Sequence, residues 1–368
     1  MKYYIIAGEA SGDLHASNLM RELHKRDTQA EFRCWGGDLM QEQGGHIVKH
    51  YRDLAFMGFT EVLANIRTIL QNIAFCKKDI VEWKPDVVIL VDYPGFNLRI
   101  AEFVKSKGIR VFYYISPAIW AWKQNRVHKI KRSVDRMFTI LPFEEEFYNR
   151  FQMKVDFVGH PLLDALVHSK ENELQLSPGK PLIALLPGSR KQEIAQMLPV
   201  MLETAKAFPQ YQFIVAGAPS LPASYYETFL KGHEIQIVFG QTYGVLRQAY
   251  AALVTSGTAT LETALFRVPE VVCYKGGAIS YQIARRLVKV KYISLVNLIM
   301  DREIVKELIQ DEFTVDNLKS ELIKITTNSH QREVQLKGLD ELKVKLGGPG
   351  ASARLADYMI RYLQAVHA

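Results

Sequence analysis

Two hydrophobic patterns alternate along the chain. Short runs of consecutive apolar residues, at 87–91 and 182–186, are typical of strands buried on both faces of a parallel sheet. Between such runs, apolar residues recur every three or four positions over longer segments such as 60–83, which is the spacing of one helix face. The alternation predicts an α/β fold with doubly wound parallel sheets.

The remaining elements follow from the same patterns. Glycine-rich and polar stretches mark the loops, and Asn297 is expected in a loop before a helix over 302–308. Further strands are predicted at 3–7, 32–35, 110–115, 213–216, 235–238, 252–254 and 271–274, and further helices at 12–26 and 351–365.

One polar stretch, 168–181, is the best linker candidate because it ends in Ser-Pro-Gly-Lys-Pro. A chain of 368 residues is long enough for two α/β domains of roughly 150 to 200 residues each. We therefore expect two Rossmann-like domains facing a cleft, an N-terminal one over 1–167 and a C-terminal one over 182–346. A last helix within 347–368 is expected to pack on an N-terminal domain, either its own or, in a homodimer, its partner's.

Composition excludes several classes of protein. Hydrophobic residues make up 48% and charged residues 23% of the chain, which is the balance of a folded globular protein. Its three cysteines form no CxxC pair, so neither a disulfide framework nor a zinc site is expected. No apolar run reaches the roughly 18 to 20 residues that span a bilayer, and the chain does not begin like a secretory signal, so we expect a cytoplasmic protein.

Several nucleotide-binding and hydrolase motifs are also missing. Neither half has GxGxxG after its first strand, which disfavours a nicotinamide or flavin enzyme. GxxxxGK[ST], GxSxG and HExxH do not occur, which argues against a P-loop kinase, an α/β hydrolase and a zinc protease.

The net charge of +7 is modest, but cations are concentrated in one stretch of the chain. The stretch 123–134 contains no acidic residue, and two tryptophans precede it, a combination that suits a phospholipid surface or a phosphorylated lipid. A solvated basic helix over packed tryptophans fits as well. RNA binding is a weaker alternative, because no nucleic-acid-binding signature is present. The candidate lipid or membrane contacts are Trp120, Trp122, Lys123, Arg126 and Lys129, together with an earlier patch of Phe56, Met57 and Phe59.

In the first half, acidic residues follow two predicted strands. Glu9, Ser11 and Asp13 come after the first strand, and Asp92 follows the apolar run 87–91. Open parallel sheets bind their ligands at this end of the strands. A carboxylate there would orient sugar hydroxyls or act as a general base, and burial would raise the pKa of Asp92. Helix or loop capping is the alternative role for Asp13 and Asp92.

In the second half, two strand-to-helix turns are suited to anions. Arg190 ends the sequence LLPGSR at 185–190, just before a helix expected to start near Gln192. Ser256, Gly257 and Thr258 begin a second such turn, with Glu262 placed to accept ribose hydroxyls. The alternative for the first turn is an ordinary turn with a solvated Arg190. The alternative for Glu262 is a carboxylate on the surface. Together, the Arg190 cation, the hydroxyl groups and the helix dipole would stabilise a departing nucleoside diphosphate without a metal.

Seven motifs, in order and over nearly the whole chain, resemble those of the lipid-A-disaccharide synthase family. They are GEASGD at 8–13, MGFTEVL at 57–63, VDYPGFN at 91–97, YISPAIWAW at 114–122, GHPLLD at 159–164, LLPGSR at 185–190 and SGTATLE at 256–262.

The resemblance implies an inverting glycosyltransferase of the GT-B type in the lipid A biosynthesis of Gram-negative bacteria. It would join UDP-2,3-diacylglucosamine to 2,3-diacylglucosamine 1-phosphate (lipid X) at the inner face of the inner membrane, with no metal, organic cofactor or nucleic acid. Asp92 is then the implied base and Arg190 the implied diphosphate ligand. The other residues at matching motif positions are Glu9, with a less certain catalytic role, and Ser11, Ser256, Gly257, Thr258, Glu262 and Asn297 as substrate or UDP ligands.

One departure and several rival functions bear on this assignment. Many relatives have a second aspartate where this chain has Gly95, so the choice of base narrows to Asp92. Another GT-B enzyme, such as a UDP-N-acetylglucosamine 2-epimerase or the transferase that makes lipid II, would use the same nucleotide half. A nucleotide-sugar-binding regulator without turnover is a rival of a different class.

Overall fold

The computed structural model describes residues 1–54, 66–122, 124–168, 179–277, 291–327 and 329–365. The chain divides into two compact units, one of residues 1–167 with 346–368 and one of residues 168–345.

The first unit is built on a seven-stranded sheet in which every strand pair is parallel. The spatial order is β3-β2-β1-β4-β5-β6-β7. The strands are β1 (Lys2–Ala7), β2 (Glu31–Gly36), β3 (His46–His50), β4 (Val87–Val91), β5 (Arg110–Tyr114), β6 (Arg136–Thr139) and β7 (Asp156–Phe157).

Helices cover both faces of this sheet. They are α1 (Ala10–Arg26), α2 (Asp38–Glu42), α3 (Ile66–Trp83), α4 (Pro94–Ser106), α5 (Ile119–Trp122), α6 (Arg126–Ser133), α7 (Glu144–Asn149), α8 (Leu162–His168) and α16 (Ala351–Gln364). Because side chains alternate across a strand, Val88 and Leu90 of β4 enter one hydrophobic cluster while Val87, Ile89 and Val91 enter the other. A strand buried on both faces needs an unbroken apolar run, which is what β4 has.

Helix α16 packs against α1 in the first unit. Its N-terminus is capped by Asp164, whose carboxylate accepts hydrogen bonds from the backbone N–H groups of Gly350 (2.5 Å) and Ser352 (2.8 Å). Arg26 of α1 pairs with Asp357 of α16 at 2.7 Å. A buried apolar face and a capped end therefore fix this last helix to the fold.

The second unit contains a six-stranded sheet, also parallel at every pair. The order is β10-β9-β8-β11-β12-β13, formed by β8 (Leu182–Leu186), β9 (Gln212–Gly217), β10 (Gln236–Phe239), β11 (Ala249–Thr255), β12 (Glu270–Tyr274) and β13 (Lys306–Ile309). Its described helices are α9 (Lys191–Ala205), α10 (Ala223–Leu230), α11 (Thr242–Gln248), α12 (Thr258–Leu265), α13 (Leu295–Met300), α14 (Val315–Thr326) and α15 (His330–Lys345).

The predicted α/β fold with two doubly wound parallel sheets is confirmed. The helix predicted over 302–308 is wrong, because residues 306–309 form edge strand β13, which pairs with β12. Asn297 is likewise not in a loop but in α13. Strands β3, β6 and β7 were not predicted. Among the described residues, no helix combines the length and the apolar character needed to cross a bilayer.

Glu270, the first residue of β12, is fully buried. Its backbone exchanges two hydrogen bonds with the side chain of Gln335, at 2.8 and 3.1 Å, but neither carboxylate oxygen has a partner among the described residues. Burial raises the pKa of Glu270 well above its ordinary value. The folded protein therefore holds this carboxyl protonated at a pH where the unfolded chain ionises it, and stability is lost as the pH rises above the unfolded pKa.

Replacing Glu270 by glutamine removes this loss, because an amide does not titrate. We expect the difference in the free energy of unfolding, Glu270→Gln minus wild type, to increase by about 1 to 3 kcal/mol between pH 5 and pH 8. Urea denaturation at both pH values measures it. Glu312→Gln, an exposed position in the same unit, is the matched control and should give a constant difference. A pH-independent difference at Glu270 would contradict the buried, protonated state.

Candidate functional site

The first candidate group lies where β1 and β4, neighbours in the first sheet, reach their carboxyl ends. Glu9 is the N-cap of α1 and has extended backbone (φ −146°), and no side chain of the described residues caps this helix end. Ser11 is exposed on the first turn of α1. Residues 9–11 are all exposed, so this uncapped helix start is accessible to a ligand, and a helix N-terminus favours an anionic group.

Asp92 sits in a sharp turn between β4 and α4. Asp92 and Tyr93 both have left-handed backbone, with φ of +46° and +48°, which costs roughly 1 to 2 kcal/mol at each non-glycine residue. Three hydrogen bonds to the Asp92 peptide groups offset the strain. Its N–H donates to Tyr114 O (3.0 Å), and its carbonyl accepts from Asn97 Nδ2 (2.7 Å) and Tyr113 Oη (2.6 Å). The turn is thus held from both α4 and β5.

The Asp92 carboxyl has the electrostatics of a base that works near neutral pH. Burial raises its pKa to about 6, the negative charge of Glu9 adds to the rise, and the backbone N–H of Tyr93 opposes it. At pH 7 the group is mostly ionised but holds a proton far better than an exposed aspartate does. It can therefore accept a proton from a hydroxyl and release it again.

Two glycines around this turn differ in what they require. A Cβ on Gly8 would lie 2.4 Å from the ring of Tyr93, so the close packing of that ring depends on glycine at this position. A Cβ on Gly95 would meet nothing within 4 Å among the described residues. The turn therefore has room for a side chain such as that of aspartate at this position.

Asp13 has a structural role. It is almost fully buried, and its carboxylate accepts the backbone N–H groups of Gly37 (2.7 Å), Leu39 (3.2 Å) and Met40 (3.2 Å). These are the N–H groups at the start of α2, so Asp13 caps that helix. The capping alternative is the one observed, although the capped helix is α2 and not α1.

The second candidate group lines a cavity of about 400 Å³ in the second unit. The cavity lies at the carboxyl ends of β8, β9 and β11 and at the starts of α9 and α12. It brings together five residues that the sequence singled out, namely Arg190, Ser256, Gly257, Thr258 and Glu262. Strand ends, helix N-termini and one guanidinium around a single cavity are suited to binding a phosphorylated ligand.

Glu262 is held by a residue that the sequence did not reveal. Tyr243, on α11, donates its hydroxyl to Glu262 Oε1 at 2.9 Å, and burial raises the pKa of Glu262. Thr255 also lines the cavity, and its buried Oγ1 has no partner among the described residues. Carboxylate, hydroxyl and backbone N–H groups therefore face one cavity, as recognition of a sugar and a phosphate in one ligand requires.

Asn297 is not among the residues that line this cavity. Its side chain connects α13 to the chain before and within β13. Nδ2 donates to Val305 O and Glu307 Oε1, each at 2.8 Å, and Oδ1 accepts from the N–H groups of Ile304 (2.7 Å) and Val305 (3.0 Å). All four bonds of the amide are made within the fold, and its role as a UDP ligand stays a prediction.

The basic stretch is partly described. Val127 and Ile130 of α6 are buried, so the helix turns its cations outwards, and Lys129 pairs with Glu102 at 2.8 Å. Arg126 is half-buried. Trp120 packs edge-on against Phe143, with ring centroids 5.0 Å apart. Lys123, the side chain of Trp122 and the patch of Phe56, Met57 and Phe59 lie outside the described residues.

Among the residues that the structure describes, no cluster of three or more His, Cys, Asp or Glu side chains is placed to hold a metal ion.

Solved structures share the fold over almost the whole chain. A structure titled a putative UDP-N-acetylglucosamine 2-epimerase from Listeria monocytogenes superposes with a TM-score of 0.69 at 14% identity and covers 99% of this chain and 97% of that one. CalG4, titled the calicheamicin glycosyltransferase, gives a TM-score of 0.64 at 15% identity over 100% and 99% of the two chains. At such low identity these likenesses show the fold alone.

Sequence comparison is far more specific. A family model described as lipid-A-disaccharide synthetase matches residues 3–353. A lipid-A-disaccharide synthase from Syntrophus aciditrophicus is 41% identical, over 96% of this chain and 95% of that protein. Another lipid-A-disaccharide synthase, from Myxococcus xanthus, is 40% identical over 98% of this chain and 97% of that protein. On these matches, and with the two candidate groups described above, this chain belongs to the lipid-A-disaccharide synthase family of glycosyltransferases.

Proposed function

We propose that this protein transfers 2,3-diacylglucosamine from UDP-2,3-diacylglucosamine to the 6-hydroxyl of 2,3-diacylglucosamine 1-phosphate, with inversion and without a metal. The products are the β-1,6-linked tetraacyl disaccharide 1-phosphate and UDP. One observation carries the proposal in a chain of this family. A partly buried carboxyl, Asp92, stands at the ligand-binding edge of the first sheet with its pKa raised to about 6.

Asp92 is the proposed general base. Its carboxylate takes the proton of the acceptor's 6-hydroxyl while that oxygen forms a bond to the anomeric carbon of the donor sugar. The bond from the anomeric carbon to the phosphate oxygen breaks, and its electron pair leaves with UDP. Attack on the face opposite to the leaving group inverts the anomeric centre. Glu9 acts through Asp92, because its negative charge helps to keep the proton affinity of Asp92 near neutral pH.

The cavity of the second unit is the proposed UDP site. Arg190 and the turn of Ser256, Gly257 and Thr258 would bind the diphosphate, since a guanidinium and a helix N-terminus both attract anions. Glu262, oriented by Tyr243, would accept the ribose hydroxyls. These groups would also stabilise the charge that develops on the departing UDP. In the first unit, Ser11 and the free N–H groups at the start of α1 are the proposed contacts for the acceptor.

We further propose a cytoplasmic protein that associates peripherally with the inner face of the inner membrane. On α3, Ile66 and Leu70 lie one turn apart with about half of each side chain exposed (50% and 56%), and Val81 lies on the same face at 43%. Exposed apolar side chains on one helix face suit the boundary between headgroups and acyl chains. The cations of α6, on the same unit, would attract anionic lipid phosphates.

The first test follows transfer with purified protein, both lipid substrates, detergent and EDTA. Removing the base should lower the rate by about 10² to 10⁴-fold in Asp92→Asn, while the dissociation constant for UDP stays unchanged. Asp53→Asn, an exposed position in the same unit, is the control and should keep full activity. An active Asp92→Asn would exclude this base. No product from folded wild type would overturn the assigned substrates, and epimerisation of UDP-N-acetylglucosamine would be assayed next.

The pH dependence offers a second test. Because ionised Asp92 is the active form, kcat/KM should fall as the pH drops through about 6. Glu9→Gln removes the neighbouring negative charge, so the pKa of Asp92 should decrease and activity should persist to lower pH. Carbon NMR titration of the Asp92 carboxyl checks the shift without turnover. Glu145→Gln, which removes an exposed carboxylate on α7, should leave both curves in place, and an unmoved curve in Glu9→Gln would refute the coupling.

The membrane proposal is tested by cosedimentation with vesicles of phosphatidylglycerol and phosphatidylethanolamine. The double variant Ile66→Ser/Leu70→Ser should bind several-fold more weakly, because two exposed apolar side chains no longer leave water. Val334→Ser/Val344→Ser removes two exposed valines (53% and 82%) of the second unit and serves as the control. An equal loss of vesicle binding in both double variants, or no loss in either, would count against α3 as the membrane contact.

A further inference from the structure

The turn before α9 is occupied by a side chain of its own helix. Gly188 has left-handed backbone (φ +112°), and a Cβ there would lie 2.7 Å from Glu193 Oε2 and 2.8 Å from Glu193 Cβ. The Glu193 side chain therefore folds back over the glycine. Glycine has no side chain, so another group can come close to the backbone at this turn. Here that group is the Glu193 carboxylate.

Glu193 binds the donors that an anionic ligand would need. Its Oε2 accepts the backbone N–H groups of Ser189 (3.0 Å) and Arg190 (3.2 Å), and its Oε1 lies 3.4 Å from Arg190 Nη1. The pairing resembles a capping box, in which the third helical residue reaches back to the helix start. The Glu193 carboxylate is thus an internal anion. It binds two N–H groups at the positive end of α9 and the guanidinium beside them.

The charge balance of the cavity makes this sharing consequential. Among the described residues that line it, Arg190 is the one cation, whereas Glu193 and Glu262 are both acidic. Glu262 is bonded to Tyr243 and its pKa is raised, so Glu193 is the carboxylate most directly opposed to a bound phosphate. A diphosphate at the start of α9 would meet a like charge that holds the same donors.

We propose that Glu193 is a displaceable internal anion that competes with the diphosphate of UDP for the N–H groups of Ser189 and Arg190 and for the Arg190 guanidinium. The competition weakens UDP binding and speeds UDP release after transfer. Glu193 is thus a residue that sets nucleotide affinity, and the idea rests on the proposed UDP site. Its side chain is about one quarter exposed (27%), which leaves it room to swing away from the helix start.

Glutamine at this position separates charge from capping. Both Glu and Gln serve as the third residue of a capping box, so Glu193→Gln keeps an acceptor for the N–H groups while it removes the negative charge. Alanine removes both, and Glu193→Ala should therefore also lower thermal stability. If both variants bind UDP more tightly, the cause is the loss of the Glu193 charge and not the loss of the helix cap.

Calorimetric titration with UDP, UMP and uridine, on the full chain, tests the proposal. Glu193→Gln should bind UDP about tenfold more tightly than wild type, since a like charge a few ångströms from the diphosphate is gone. The gain should be smaller for UMP and absent for uridine, which carries no phosphate. Stopped-flow displacement should show slower UDP release, and rising salt should narrow the difference.

Two control variants make each outcome decisive. Glu227→Gln removes an exposed carboxylate on α10, outside the cavity, and should leave all three affinities unchanged. Arg190→Gln should weaken UDP but not uridine. If Arg190→Gln weakens UDP and Glu193→Gln does not tighten it, competition by Glu193 is overturned while the UDP site stands. If Arg190→Gln leaves UDP affinity intact, the proposed diphosphate site is misplaced, and both ideas fail. Retained uridine binding shows that each variant is folded.

Discussion

Parallel pairing is the constraint on which the rest of this structure depends. Every strand pair of both sheets is parallel, so all strands of a sheet end at the same edge and the helices must cross over to return. In the first unit this edge receives Glu9 after β1 and Asp92 after β4, which are neighbouring strands. In the second it receives Arg190 after β8 and Ser256 after β11, also neighbours. Residues far apart in sequence meet because their strands are adjacent.

The sequence predicted the central strands best because their signal needs no partner. The boundaries of β4 and β8 match the predicted runs, since a strand buried on both faces must be apolar throughout. Edge strands carry no such signal. Strand β13 has the sequence Lys-Glu-Leu-Ile, and only its pairing with β12 distinguishes it from a helix start. The wrong prediction of a loop at Asn297 is connected with this error, because the hydrogen bonds of the Asn297 side-chain amide link α13 to β13 and to the residues before it.

Motifs located the candidate groups but not the residues that hold them. Tyr113 lies inside an apolar strand and looks like a core aromatic, although its hydroxyl bonds to the Asp92 carbonyl. Tyr243 comes from another helix than its partner Glu262, and Glu193 lies within an ordinary amphipathic helix. Each of these contacts depends on tertiary placement or on side-chain direction, neither of which local spacing encodes. Strand ends are therefore predictable from sequence, while their orienting partners are not.

Carboxylate residues in the two units differ in where their hydrogen-bond donors are placed. At Asp92 the strong side-chain donors, Asn97 and Tyr113, bond to the backbone carbonyl and not to the carboxylate. The turn is fixed, yet the anion gains little stabilisation, so burial can raise its pKa to about 6. At Glu193 the N–H donors bond to the carboxylate itself, which holds the side chain over the start of the helix. A base needs the first arrangement, and a competitor for a diphosphate needs the second.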